Sequence, residues 1–278
     1  MDTQSVAELN APRRIEAGNA TFTYLEQGGG TPLVLLHGIG SGARSWKLQL
    51  ASLAGQFRVV AWDAPGYGDS SALPMEHPDA SDYSAALARF LDAVGVDRLH
   101  LVGHSLGTVM ALRFAAEHPQ RVRSLTLASL SSGHSHLPET ERAALRDGRL
   151  GDLAALGPQG MAQKRGPRLL SPRASDEQKR TVIETMSMLR PAGFTQAVWM
   201  LSGANTRVDL ASLPRVMPVQ IVYGDADVVT SPASIAEVAA VRPDVPLRVV
   251  TSAGHALYLE QPAAFDAALC RFIGNDDA

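Results

Sequence analysis

The chain has 278 residues, 45% of them apolar and 19% charged, with a mean hydropathy of −0.01; that composition supplies a substantial core and excludes wholesale disorder. A net charge of −3 gives no electrostatic reason to expect nucleic acid or an anionic membrane as partner, and a single cysteine, Cys270, excludes an intramolecular disulfide or a zinc site of several thiolates. No apolar run approaches the ~18 residues needed to span a bilayer, and Met1-Asp2-Thr3-Gln4 is neither basic nor followed by an apolar stretch, so a cytoplasmic protein is expected.

Residues Thr21 to Gln27 alternate loosely and end at Gly28-Gly29-Gly30 and Pro32, the pattern of a hairpin strand and its turn. Short apolar, β-branched runs follow at Leu33–Leu36, Arg58–Trp62, Leu99–Val102, Arg123–Ala128, Val219–Tyr223 and Leu247–Val250. Runs of this kind suit strands buried on both faces of a mostly parallel sheet. Helical periodicity falls between them. Ala80–Val94 carries Tyr83, Leu87, Phe90, Leu91 and Val94 on one face, with Ser81 as the expected N-cap and Gly95 as the stop. Leu106–His118 ends at Pro119, and Pro232–Val241 and Pro262–Ile273 each begin with proline in the first turn. This alternation predicts an α/β class, doubly wound sheet.

The alternation lapses from about Ser131 to Leu213, where Glu139–Arg149, Gly160–Leu170, Asp176–Leu189 and Pro191–Ser202 all read as helices separated by glycine and proline. The expected organisation is a core of residues 1–130 and 214–278 with a helical insertion at 131–213. The C-terminal helix should bury Cys270 as a small residue, and the tail Asn275–Ala278 should fray.

Gly103-His104-Ser105-Leu106-Gly107 matches G-x-S-x-G between an apolar strand and a helix, the context that motif requires. A sharp turn there exposes a serine hydroxyl at the carboxyl end of the sheet, and residues larger than Gly103 and Gly107 would collide across it. The helix beginning at Leu106 aims its positive dipole end at the same point. A serine needs a base, and the order in this architecture is Ser, then Asp or Glu, then His. Of the eight histidines, His255 alone follows the strand Leu247–Val250. His104 reads as a packed, hydrogen-bonded neighbour and His100 as a strand residue. His134 and His136 read as a solvated loop with no third ligand, so no metal site is expected. The carboxylate after Val219–Tyr223 is Asp225 or Asp227; motif order favours Asp227, with Asp225 capping the turn. Two oxyanion donors are expected, the N–H of Leu106 and the N–H of Ile39 in His37-Gly38-Ile39-Gly40.

These segments, with Asp63-Ala64-Pro65-Gly66-Tyr67-Gly68-Asp69-Ser70, resemble the α/β-hydrolase superfamily over most of the chain. The resemblance implies that Asp63–Ser70 is a structural loop beside the site and that the family's Gly-x-x-Asp pattern falls on Gly224 and Asp227. It also implies that the insertion is a helical cap. Among subgroups the chain is similar to 3-oxoadipate enol-lactonases and small carboxylesterases. It resembles meta-cleavage C–C hydrolases less, since His104 and Thr108 stand where those carry Asn and a second Gly. Ser105 argues against the dehalogenases and epoxide hydrolases, which use an Asp nucleophile. The activity implied is hydrolysis of a small or medium ester or lactone through an acyl-enzyme on Ser105, without metal or cofactor. The alternatives are a C–C hydrolase with the same triad, an acyltransferase or perhydrolase, and a non-catalytic ligand-binding protein. The expected partner is the small-molecule substrate, with monomer or homodimer left open. In the insertion, Met161, Met186, Met188, Met200 and Trp199 divide between cap core and pocket. Trp199, Met161 and Arg165 are the substrate-contact candidates, and Arg165, Arg168 and Arg190 are candidates to hold a substrate carboxylate.

Overall fold

The computed structural model describes residues 11–274. The strands are β1 (Arg13–Ala17), β2 (Ala20–Gln27), β3 (Pro32–Leu36), β4 (Arg58–Trp62), β5 (Leu99–His104), β6 (Val122–Ala128), β7 (Val219–Gly224) and β8 (Leu247–Val250). They form one sheet in the order β1-β2-β4-β3-β5-β6-β7-β8, antiparallel at β1/β2 and β2/β4 and parallel from β4 to β8. The expected mostly parallel, doubly wound sheet is present.

Alternation along the strands explains why the central runs are apolar throughout. Val34 and Leu36 pack on one face with Val60, Trp62, Leu125 and Leu127, while Leu33 and Leu35 pack on the other with Val59 and Ala61. The first face is covered by α2 (Ala80–Ala93), α3 (Leu106–Glu117) and α8 (Pro232–Ala239), through residues such as Phe90, Leu112 and Val238. The second is covered by α1 (Lys47–Leu53) and α10 (Pro262–Gly274), through Leu50, Leu53, Phe265 and Leu269. Five further α-helices complete the set among the described residues: α4 (Glu139–Arg165), α5 (Asp176–Ser187), α6 (Pro191–Gly203) and α7 (Thr206–Ser212) lie between β6 and β7, and the short α9 (Leu257–Glu260) lies between β8 and α10. A separate apolar cluster of Leu153, Met161, Ala162, Met186, Leu189, Phe194 and Val198 holds α4, α5 and α6 together.

Several local expectations are corrected. The cap of α2 is Asp79, whose carboxylate accepts from the N–H groups of Ser81 and Asp82, so Ser81 is a donor and not the cap. Gly95 sits at φ 68°, the left-handed position that ends the helix. The first helix of the insertion runs past Arg149 through Gly148 and Gly151 and breaks at Gly157 (φ 63°, ψ 179°), where Pro158 starts the next segment. Strand β1 is an exposed, polar edge and α1 and α7 are each 7 residues long, too weakly patterned to be read from sequence. Cys270 is half-buried against the second core face, not buried. The expectations for Met1–Gln4 and for Asn275–Ala278 lie outside the described residues. Among the described residues no helix is long and apolar enough to cross a membrane.

One contact ties the helices between β6 and β7 to the loop that follows β4. Gly66 (φ 81°) and Gly193 meet backbone to backbone, and a Cβ on Gly193 would lie 2.1 Å from the Gly66 carbonyl oxygen. No rotamer relieves that collision. Gly193→Ala is therefore expected to destabilise the protein by about 1–3 kcal/mol, read as a lowered urea midpoint.

Candidate active site

The sheet order reverses between β3 and β5, and the loops leaving their carboxyl ends diverge over the crevice where open α/β sheets bind ligands. Ser105 stands there at φ 53°, ψ −114°, between the end of β5 and the start of α3. Its N–H donates to the Ala128 carbonyl at 2.9 Å, and its carbonyl accepts from the Thr108 N–H at 2.9 Å. Both glycines of the motif are required by space: a Cβ on Gly103 would come within 2.3 Å of the Gly107 carbonyl oxygen, and one on Gly107 within 2.3 Å of that of Leu36. The Ser105 hydroxyl makes no hydrogen bond with another described side chain and faces a cavity of about 280 Å³.

His255 lines the same cavity from the loop after β8. Its Nδ1–H donates to Asp227 Oδ2 at 2.8 Å. The remaining valences of that carboxylate are filled: Oδ1 accepts from the N–H groups of Val229 (2.8 Å) and Thr230 (2.9 Å), and Oδ2 also accepts from the Thr230 hydroxyl at 2.9 Å. Burial alone would raise the Asp227 pKa, but the His255 bond and charge and the two backbone donors outweigh it and bring it to about 2. Asp227 is ionised at neutral pH.

The histidine loop is held from three sides. His104 donates from Nε2 to the His255 carbonyl at 2.9 Å, and the Ser129 hydroxyl donates to the same oxygen at 3.2 Å. Burial, reinforced by the neighbouring His255, drives the His104 pKa down to about 3, so it is a neutral structural ring, as expected. Asp225 accepts from the Ala253 N–H at 3.3 Å; it braces the histidine loop across the sheet rather than its own turn. The buried Glu260 accepts from Gly254 N–H (2.7 Å) and Ser171 N–H (2.9 Å), which joins this loop to the chain leading into α5.

On the opposite side, Ile39 and Leu106 line the cavity. The Ile39 loop is fixed by neighbours: Tyr67 Oη donates to the Ile39 carbonyl at 2.6 Å. His37 accepts at Nε2 from the Ala64 N–H at 3.0 Å and donates from Nδ1 to the Gly38 carbonyl at 2.9 Å. Tyr67 and Ala64 belong to Asp63–Ser70, which lies beside the site as a bracing loop.

Comparison with known proteins gives the same architecture. The family model described as alpha/beta hydrolase fold matches residues 31–262. The chain belongs to the alpha/beta hydrolase family. A Pseudomonas putida protein, the dihydrolipoyllysine-residue acetyltransferase component of an acetoin cleaving system, is 32% identical over 280 residues, covering 96% of this chain and 70% of that protein. An esterase from Thermogutta terrifontis superposes with a TM-score of 0.85 at 23% identity, over 96% of this chain and 100% of the esterase. The enol-lactonase of Burkholderia xenovorans LB400 superposes with a TM-score of 0.80 at 19% identity, over 94% and 100% of the two chains.

In this alpha/beta hydrolase the three expected substrate contacts do not line the Ser105 cavity. Trp199 packs against His77, ring centroids 3.7 Å apart, beneath the Arg146 guanidinium. Met161 belongs to the cluster joining α4 to α6 and lines an adjoining cavity of about 360 Å³. Arg165 is drawn to Asp152, its Nε donating at 2.9 Å, on the wall of that second cavity. Arg190 donates to the Gly68 carbonyl, and Arg168 is exposed at the second cavity. Of the four methionines, Met186 alone faces Ser105; Met200 is in the main core and Met188 is exposed.

Two other residues are on the wall instead: His134, expected in a solvated loop, and Arg149, which the sequence did not single out. Burial, with the charge of Arg149 beside it, lowers the His134 pKa to about 4, so the ring is neutral rather than solvated and basic. Burial, with Arg165 nearby, lowers that of Arg149 to about 10, still charged at neutral pH. His134 carried a signal in lying just past β6, at the same sheet edge as Ser105. Arg149 carried none, being one of several arginines in a polar helix. Among the described residues no cluster of His, Cys, Asp and Glu is fit to hold a metal.

Proposed function

We propose that the protein is a serine hydrolase of small carboxylic esters or lactones. The observation that carries this reading is the chain of a cavity-facing Ser105 at a left-handed turn, a His255 ring on the same wall, and an ionised Asp227 bonded to that ring at 2.8 Å. Asp227 holds the proton on Nδ1 and leaves Nε2 as the base. Nε2 removes the Ser105 proton as Oγ attacks the carbonyl carbon, and the N–H groups of Ile39 and Leu106 bind the oxyanion. His255 then gives that proton to the departing alkoxide. Water, deprotonated by the same nitrogen, attacks the acyl-enzyme and releases the acid and free Ser105. The helices at 131–213 act as a cap on the 1–130 and 214–278 core, supplying Met186, Arg149 and Val182 to the cavity wall. An apolar wall broken by a few polar groups suits a small acyl chain.

A fluorophosphonate probe tests the reading without knowledge of the substrate. It should label Ser105 stoichiometrically, located by peptide mass spectrometry. Absence of label at Ser105 in folded protein would reject the mechanism and favour a ligand-binding role on this scaffold.

The acetyltransferase name of the Pseudomonas putida relative supports a second reading in which a thiol, not water, takes the acyl group from Ser105. The two differ only in acceptor. Acyl-enzyme formed from p-nitrophenyl acetate, divided between water and added dihydrolipoamide, distinguishes them by the ratio of acetate to thioester.

A further inference from the structure

We infer that Arg149 and His134 form a carboxylate subsite in the Ser105 cavity, and that the substrate is an ester or lactone bearing a free carboxylate. The inference rests on the serine hydrolase reading and names its substrate class. Among the described residues that line the Ser105 cavity there is one arginine, Arg149, which also borders the adjoining cavity, and no Asp or Glu. Most other arginines around the helical segment have a partner: Arg142 pairs with Glu139, Arg146 with Asp147, Arg165 with Asp152, and Arg190 with a backbone carbonyl. Arg149 is half-buried, has no carboxylate partner among the described residues, and feels chiefly the like charge of Arg165. A charge withdrawn from water without a counter-ion is costly, and an incoming carboxylate removes that cost while accepting paired N–H donors. His134 stands close enough to feel the Arg149 charge, and its ring, neutral at working pH, adds one N–H donor without repelling the guanidinium's ligand. Ser131 and Ser132 continue the same polar wall from the loop after β6, while Met186 and Leu201 supply apolar surface around Ser105. The carboxylate takes no part in bond making; it orients the ester carbonyl toward Ser105.

Two measurements test this. The first compares kcat/KM for monoethyl glutarate (carboxylate on the acyl side), 4-acetoxybutyrate (carboxylate on the leaving group) and neutral ethyl valerate, in wild type, Arg149→Gln and Arg149→Lys. The ratio of the preferred anionic ester to ethyl valerate should fall about tenfold to a hundredfold in Arg149→Gln, the range expected for a charged hydrogen-bond pair, and recover in part in Arg149→Lys. A ratio changed less than twofold, or an equal loss on all three esters, overturns the inference. The second follows glutarate binding to Ser105→Ala by calorimetry, where no turnover is needed. Binding that disappears on adding Arg149→Gln upholds the subsite even if the serine proves not to be the nucleophile. Binding indifferent to Arg149 rejects the subsite while leaving the hydrolase reading intact.

Discussion

Replacing Ser105 by alanine should lower kcat on p-nitrophenyl butyrate by about four orders of magnitude or more, leaving only the residual rate above the solution reaction that substrate binding and backbone donors sustain. The size follows from what the hydroxyl does. On the proposed mechanism, loss of Oγ removes the acyl-enzyme and leaves the N–H groups of Ile39 and Leu106 to stabilise only direct attack by water. The substitution is conservative for the fold. The Ser105 hydroxyl has no described hydrogen-bond partner to lose, and alanine keeps the Cβ that the turn already accommodates at φ 53°. Thermal unfolding of the variant should therefore stay within a few degrees of wild type, which separates loss of chemistry from loss of structure. Retention of more than about one hundredth of wild-type kcat in a folded variant would show that another group carries the reaction.

How far such a site can be read from sequence is visible in the glycines. Gly103 and Gly107 are forced by backbone oxygens 2.3 Å from their would-be Cβ atoms, and Gly224 by Ala253 and Gly254 oxygens at 2.3 Å and 2.4 Å. Constraints this local leave a mark in the residue string, so the turn at Ser105 and the loops that carry Asp227 and His255 were legible with their order along the chain. The strands were legible for a related reason. Burial on both faces makes Leu33–Leu36 and Val59–Trp62 apolar without interruption. The cavity wall beneath the helices was not legible. Whether Met161 or Met186, Arg165 or Arg149 faces Ser105 depends on how α4 and α5 dock, and on a kink at Gly157 that shifts the phase of everything after it. Both members of each pair have the same chemistry, so composition and periodicity do not separate them; only the packing of Leu153, Phe194 and Val198 does. Asp225 shows the same limit on a smaller scale. Its role depends on the Ala253 N–H, 28 residues away, and no local turn rule reaches that far.

Asp227→Asn should reduce kcat by about 10⁴, whereas Asp225→Asn should stay within a few-fold of wild type. The direction is fixed by the donors around the carboxylate. Val229 and Thr230 N–H groups both point at Oδ1, so an asparagine must place its carbonyl oxygen there and its NH₂ where Oδ2 stood. That NH₂ faces His255 Nδ1, which must then give up its proton and accept. The imidazole is forced into the tautomer with the proton on Nε2, and this tautomer cannot take one from Ser105. Asparagine at 225 keeps an oxygen for the Ala253 N–H, so the histidine loop stays in place. A crippled Asp225→Asn beside an active Asp227→Asn would reassign the acid. The same pair reports in acid. Asp227 titrates at about 2 in the folded chain against a usual 3.8, so the ionised group adds stability that is fully present above the unfolded value. That stability is lost as pH falls from 3.8 toward about 2. Urea midpoints of wild type should therefore drop through this window by more than those of Asp227→Asn, which has no proton to bind there. If the two fall in parallel, the carboxylate is not held in its ionised form by His255, Val229 and Thr230, and its hold on the imidazole is weaker than the 2.8 Å contact implies.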